Sequence, residues 1–401
     1  MGRRLTAKRV IGGHMAYKSS RRDFLAAAGL ALPTVAFASI DKSRQAPTLP
    51  SPASGFSYRV LGKTGLKVTS LGFGCMITSD PSVIERAADL GITYFDTARG
   101  YQNGNNERMV GAALKSKRTS ITLSTKTQAK TKEEALQHLD TSLAELGTDH
   151  VDVWYLHAKS KPEDLTDELL EAQQIAKKAG KTRFVGVSTH GGQPELFPAV
   201  IQKLPHFDVI LTSYNFTMDP KMDELIASAV KQGIGIVAMK VMAGGFRRAK
   251  PGDKQTEILK REGAMLAALK WVLKNTDVAT TIPSITDNEQ LEENVTAMSA
   301  TFSDADRKIL LAQLDHIGPL YCRMCGSCSG QCPKGLPVSD VIRYASYSDG
   351  YGQFQLARES FMALPAAIRS VRCSDCATCA VHCPNGVRVT ERLQVAQELL
   401  A

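Results

Sequence analysis

Eight of the nine cysteines in this chain fall into two runs of identical spacing. Cys322, Cys325, Cys328 and Cys332 form the first, Cys373, Cys376, Cys379 and Cys383 the second, and a proline follows the last cysteine of each. Three thiolates placed three residues apart can wrap one [4Fe–4S] cubane if the backbone coils tightly around it, and the fourth, proline-followed thiolate usually ligates the other cluster when two are present. Gly326, Ser327, Ser374 and Ala377 are small enough to allow that coil. On this pattern Cys322, Cys325, Cys328 and Cys383 hold one cluster, and Cys373, Cys376, Cys379 and Cys332 hold the second. Four-cysteine zinc sites use two short pairs at a distance from each other, which this repeat fits poorly. Cysteines so close in sequence also strain a local disulfide. The chemistry implied is one-electron transfer.

The three hundred or so residues upstream must then be explained. From residue 58 to about 302 short β runs alternate with helical stretches. A hairpin comes first, at 58–61 and 66–68 around Gly62-Lys63-Thr64-Gly65. Eight strand-like runs follow, at 70–74, 92–96, 121–125, 151–157, 183–188, 209–213, 234–239 and 279–283. Between them lie amphipathic stretches such as 133–146, with Ala135, Leu139, Leu143 and Leu146 on one face. Thr286 to Gln290 reads as a helix start. Eight β/α units over this length predict a (β/α)8 TIM barrel, whose usual size is about 250 residues. A doubly wound sheet is the alternative, but no G-x-G-x-x-G follows the first strand.

TIM barrels build their active sites at the C-terminal ends of the strands. Asp96, Lys126 and His157 end strand-like runs, and Tyr101 lies in the loop just after Asp96. These four residues, with the leading hairpin, resemble the Asp, Tyr, Lys and His tetrad of the aldo-keto reductases, and the resemblance extends over the whole barrel. It implies that Tyr101 donates a proton to a carbonyl oxygen while hydride reaches the carbon. A tyrosine with an ordinary pKa of about 10 is a poor acid, so Lys126 is expected to lower it. Asp96 is expected to hold the lysine, and His157 to orient the carbonyl and help relay the proton.

The resemblance is thinner around the nicotinamide cofactor it implies. Ser188 matches the family's serine after strand five, but Thr189 replaces its asparagine. Leu211 stands at the glutamine position and Met239 at the ring-stacking position. Glu293 and Asn294 match the pair that contacts adenine, while the Lys and Arg for a 2′-phosphate are absent from 282–290. The missing cations weaken the case for NADP(H) over NAD(H). Cys75 reads as a buried small residue and His190 as a residue facing the site. Met242 to Phe246 is either a phosphate-contacting loop or a plain connection. Between the cysteine runs, 338–347 and 354–363 read as helices, which resembles the helical ferredoxin-type modules of multi-subunit redox enzymes. Tyr321, Tyr344, Tyr347 and Tyr351 read as packing residues of that second domain.

Charge locates the last feature. The formal net charge is +9, and residues 1–45, with nine Lys/Arg and two Asp, carry +7 of it. The remainder is close to balanced, so the basic character does not argue for nucleic-acid binding. Ser20-Arg21-Arg22-Asp23-Phe24-Leu25 is a twin-arginine motif, followed by an apolar stretch and Ala36-Phe37-Ala38 as an A-x-A site. The stretch, broken by Gly29 and Pro33, is too short to span a bilayer, so no integral membrane span is expected once the signal is cleaved. Met1 or Met15 is the start. The expected organisation is a twin-arginine signal over 1–38, a linker over 39–56, the barrel over 57–314 and a two-cluster domain over 315–401. The function expected is an exported, periplasmic oxidoreductase acting on a small carbonyl or alcohol, coupled to two [4Fe–4S] clusters and a redox partner protein. The alternative is an electron-transfer or docking protein whose barrel has lost nicotinamide chemistry.

Overall fold

Alternation along the strands decides which side chains fill the barrel. The computed structural model describes residues 55–244 and 254–401. The expected signal, the choice of Met1 or Met15, nearly all of the linker, and residues 245–246 of the stretch after Met242 lie outside the described residues. In β4 (Tyr94–Asp96), Tyr94 points into the barrel and Phe95 outward toward the helices. In β6 (Val151–Leu156), Val153 and Tyr155 point in while Trp154 and Leu156 point out. This is the two-residue period of a strand. The inner layer is joined by a hydrogen bond of 2.8 Å between the Tyr94 and Tyr155 hydroxyls.

The hairpin of β1 (Tyr58–Val60) and β2 (Lys67–Thr69) precedes the barrel. Lys63 N donates to Gly233 O at 2.7 Å, and Leu61, Leu66 and Val68 pack with the barrel interior, so the hairpin closes one end. β3 (Phe73–Gly74), β4, β5 (Thr122–Thr127), β6, β7 (Thr182–Thr189), β8 (Val209–Ser213), β9 (Gly235–Met239) and β10 (Thr280–Thr281) follow in one parallel sheet, each beside its neighbour in sequence. Bridges from Leu71 to Thr281 and from Gly74 to Ser284 join first strand to last. This order closes a barrel, as expected, and rules out the doubly wound sheet. The seam strands β3 and β10 are shorter than the expected 70–74 and 279–283, because their contact consists of separate bonds such as Gly72 N to Thr281 O.

Helix starts follow side-chain caps. Asp287 accepts from Gln290 N at 2.8 Å and opens Asn288–Thr296, where a helix start is predicted. Ser303 and Asp306 form a capping box that opens Asp304–Ile317, the helix that straddles the expected domain boundary. Beyond it, Val338–Asp349, Phe354–Met362 and Val389–Leu400 pack round Val341, Ala345, Phe361 and Leu393. The cysteine runs are the loops beside this small core, and Cys322, Cys328, Cys332, Cys373 and Cys383 pack against it. No helix among the described residues is long and apolar enough to cross a membrane.

Candidate active site at the barrel mouth

The alternation that turns Tyr94 inward also turns Asp96 inward at the strand's C-terminal end. β5 pairs in register so that Asp96 faces Ser124, whose hydroxyl donates to Asp96 Oδ1 at 2.7 Å. Two residues on, Lys126 shares the inward face and donates to Asp96 Oδ2 at 2.5 Å and to Thr97 O at 2.7 Å. The loop after β4 bends back through left-handed Gln102 and Asn103. It is pinned by Asn106 Nδ2 to Cys75 O at 2.8 Å, and by buried Glu107, which accepts from Thr125 Oγ1 and pairs with Arg99. These bonds bring the Tyr101 hydroxyl to 3.4 Å from Lys126 Nζ. His157, just beyond β6, packs edge-on against Tyr101 with ring centroids 5.8 Å apart. All four tetrad residues therefore meet at one end of the barrel.

Their electrostatics depart from the expectation in one respect. Burial, and then the charge of Asp96, push the Tyr101 phenol well above its ordinary range. Lys126 also donates to the Tyr101 hydroxyl, but burial outweighs it. Tyr101 is thus a neutral phenol, the state from which a proton can be given to a developing alkoxide. Burial raises Asp96 and lowers Lys126, each opposed by the charge of the other. Burial, helped by Lys126 and Arg343, also holds His157 well below the usual imidazole range. It is neutral, and its buried Nδ1 has no partner among the described residues. Cys75 is fully buried beneath the site, as expected.

The cluster-binding region forms part of the site wall. A cavity of about 300 Å³ at the mouth is bounded by Asp96, Tyr101, His190, Met239 and Lys240 from the barrel, and by Gly350, Tyr351 and Gln353 from beyond the first cysteine run. Two glycines allow this approach. A Cβ on Gly350 would lie 2.1 Å from Gly244 O, and one on Gly191 would lie 2.4 Å from Met324 O. Lys240 Nζ lies 4.8 Å from the centroid of the Tyr347 ring and 5.1 Å from that of Tyr351. Tyr347 and Tyr351, read from sequence as packing residues, therefore face the site, and so does His190. Lys240, Arg343 and Tyr347 were missed. Lys240 could have been found, since it directly follows β9 as His157 follows β6. Arg343 and Tyr347 carry no local signal of their own.

The far end of the cavity tests the nucleotide reading. Glu293 lines it with Ser284, Asp287, Glu289, Gln290 and Lys260. Asn294 is fully buried, and neither its Oδ1 nor its Nδ2 has a partner among the described residues. A buried amide without partners is costly, and Asn294 lies beside Glu293 but not in the cavity lining itself. Ser188 has a second task, because its Oγ accepts from Ala158 N at 2.9 Å and so props the turn after His157. Leu211 packs in the barrel interior, whereas Met239 does border the cavity.

Cysteines of one run lie near cysteines of the other. The thiols in electrostatic reach of Cys322 are Cys328, Cys325 and Cys383, and those of Cys373 are Cys379, Cys332 and Cys376. Asn385, two residues past Cys383, donates to Cys325 Sγ at 3.4 Å. Lys334, two past Cys332, donates to Arg372 O at 3.2 Å, next to Cys373. Each thiolate of a cubane binds a different iron, so its ligands need not converge on one point. Among the described residues no group of His, Cys, Asp and Glu does so. The donor set suits two [4Fe–4S] clusters.

Comparison with known proteins agrees with this architecture. Residues 79–313 match the pattern of the aldo/keto reductase family, and residues 321–387 match that of a 4Fe-4S dicluster domain. An uncharacterized oxidoreductase of Bacillus subtilis, YqkF, is 27% identical over 283 residues, 60% of this chain and 91% of its own length. L-galactose dehydrogenase of Arabidopsis thaliana is 28% identical over 282 residues, 60% of this chain and 88% of that protein. A solved aldo-keto reductase of Bacillus halodurans superposes with a TM-score of 0.55 at 27% identity, covering 63% of this chain and 96% of that one. The chain belongs to the aldo/keto reductase family as an oxidoreductase, and it carries a dicluster domain with two [4Fe–4S] clusters behind its barrel.

Proposed function

We propose that the protein is an exported oxidoreductase that interconverts a carbonyl and an alcohol at Tyr101, Lys126, Asp96 and His157, in electrical contact with its two clusters. The observation that carries this reading is a shared wall. His190, Lys240 and Tyr351 border the tetrad cavity, and they also border a small neighbouring cavity lined by Cys322. A group at Tyr101 is thus separated from a cluster thiolate by one layer of side chains.

The residues divide the work. Tyr101, neutral and beside Lys126 Nζ, holds the proton for the carbonyl oxygen in reduction and takes it back in oxidation. Asp96 keeps Lys126 in place. Neutral His157 orients the substrate oxygen. Cys322, Cys325, Cys328 and Cys383 would hold the cluster nearer the mouth, and Cys373, Cys376, Cys379 and Cys332 the other. Cys376 and Cys379 are exposed, which suits exchange of electrons with a redox partner protein. When bound, the clusters supply single electrons and a nicotinamide supplies a hydride. Asn294 and Glu293 would hold the adenine end and Ser188 the carboxamide. Asp287, Glu289 and Glu293 near that end suit the hydroxyls of NAD(H), while Lys260 at the same end is a cation that the extra phosphate of NADP(H) could meet. The twin-arginine motif at Arg21-Arg22 supports export of the folded, cluster-loaded protein to the periplasm.

A second reading has its own observation. Leu211 sits in the barrel interior at the position expected for the carboxamide ligand, as in a docking or electron-transfer protein without nicotinamide catalysis. Anaerobic titration of the cluster-loaded protein with NADH and NADPH separates the two. Bleaching of cluster absorbance by either nucleotide supports coupled redox. Failure of both to bind supports the second reading.

A further inference from the structure

We propose that the substrate is an anion, and that its carboxylate or phosphate is held beside Tyr101 by Lys240 of the barrel and Arg343 of the cluster-binding domain. The word substrate rests on the tetrad reading above; the anion site stands on separate observations.

The small cavity between the barrel mouth and the helix Val338–Asp349 is lined by Cys322, Arg323, Ser346 and three tyrosines, and by four further polar side chains: Lys240, Arg343, His190 and Ser213. Its volume is about 20 Å³, room for a water or one oxygen of an oxyanion. Three of the four present a buried atom with no partner among the described residues: Arg343 Nε, His190 Nδ1 and Ser213 Oγ. Ser213 is 4% exposed, so water does not satisfy it from outside. Unmet buried polar atoms are rare in folded proteins, and each costs stability. Several round one cavity mark a place for a ligand that accepts hydrogen bonds.

Charge points the same way. Among the described residues no carboxylate pairs with Lys240. Its ammonium sits over the Tyr347 and Tyr351 rings, and the Arg343 guanidinium lies 5.9 Å from the centroid of the same Tyr347 ring. Arg343 is partly engaged, donating to Asp340 Oδ1 at 2.9 Å and to the Tyr347 hydroxyl at 3.1 Å. Two half-buried cations beside one ring repel each other, which an anion between them would relieve. The neighbours register that field. Burial would raise the Tyr347 phenol, but Arg343 and Lys240 outweigh it and hold it below its ordinary value. The same two cations act on both His157 and His190.

Position links the anion to the chemistry. Lys240 and His190 also border the larger cavity that contains Tyr101. An acid group seated between Lys240 and Arg343 leaves the rest of the molecule on the tetrad side. Carboxylate and phosphate share this recognition, and so does the pyrophosphate of a dinucleotide, which the test must separate.

The test is calorimetric titration of the anaerobic, cluster-loaded full chain with oxalate and with inorganic phosphate. At least one of them is expected to bind, with Lys240→Met and Arg343→Gln each weakening it about ten- to hundredfold. Tyr101→Phe is expected to keep that binding while losing turnover. A Tyr101→Phe variant that keeps turnover would sink the tetrad reading and leave the anion site standing. Should Arg343→Gln lose its clusters, Lys240→Met, on the barrel side, decides alone. The proposal is overturned if neither anion binds the unmodified protein, or if binding survives Lys240→Met undiminished. It is also overturned if Lys240→Met weakens NADH but not oxalate or phosphate, because the cations would then serve the cofactor.

Discussion

Lys240 Nζ lies 4.8 Å from the centroid of the Tyr347 ring. Lys240 directly follows β9, and Tyr347 belongs to the helix between the two cysteine runs. The contact makes the cluster-binding domain a wall of the cavity at Tyr101 instead of a neighbour of it. Tyr347 and Tyr351 stack at 5.7 Å on that wall, so whatever binds at Tyr101 is enclosed by both domains.

Tyr101→Phe removes the hydroxyl proposed as the proton donor and leaves the ring that packs on His157. Carbonyl turnover is expected to fall at least about a hundredfold, with the circular dichroism spectrum and iron content unchanged. Steady-state assay beside the unmodified protein checks it, and undiminished turnover would refute the role of Tyr101.

Asp96→Asn leaves Lys126 charged, buried and without its carboxylate. The two side chains are only 3% and 2% exposed, and breaking a buried pair of this kind costs about 3–5 kcal/mol. Urea unfolding should show that loss. Ser124→Ala, which removes one hydrogen bond to Asp96, is expected to cost only about 1 kcal/mol.

Serine substitution of the cysteines can show which thiolates share a cluster. Cys322→Ser and Cys383→Ser should give one residual paramagnetic spectrum, and Cys373→Ser and Cys332→Ser the other. Each variant should retain about half the iron of the unmodified protein. If Cys383→Ser instead matches Cys373→Ser, the crossed arrangement is wrong.

Asn294→Leu separates a binding role from a structural one. It removes a buried amide with two unpartnered atoms, so the folded state should gain about 1–3 kcal/mol in urea unfolding. Affinity for NADH should drop about tenfold in the same variant. Greater stability with unchanged NADH affinity would remove Asn294 from the nucleotide site.

Acid should weaken the fold in a defined window. Burial lowers His206 from 6.5 to about 4. Between those values the unfolded chain binds a proton that the folded chain does not, so stability is full above 6.5 and falls as the pH drops toward 4. His157 and His190, lowered by burial in the same direction, act with the same sign. Unfolding midpoints at pH 7 and pH 5 should differ less in His206→Gln than in the unmodified protein.

Much of the architecture could be read along the chain, because the properties that set it are local. Cysteine spacing determines which thiolates can wrap a cubane, and a period of two turns Asp96 and Lys126 to the same side as Tyr94. The hairpin, the eight strands and the helix start at Asp287 follow from turn and cap chemistry within a few residues. Other features depended on elements distant in sequence coming together. Burial by such neighbours, together with the charge of Asp96, makes Tyr101 a neutral phenol and not an acidified one. Ser188 props the turn after His157 because β6 and β7 lie side by side. Arg343, Tyr347 and Tyr351 gain their place at the mouth from the docking of one domain on another. No periodicity records that docking, because it depends on how two finished surfaces fit.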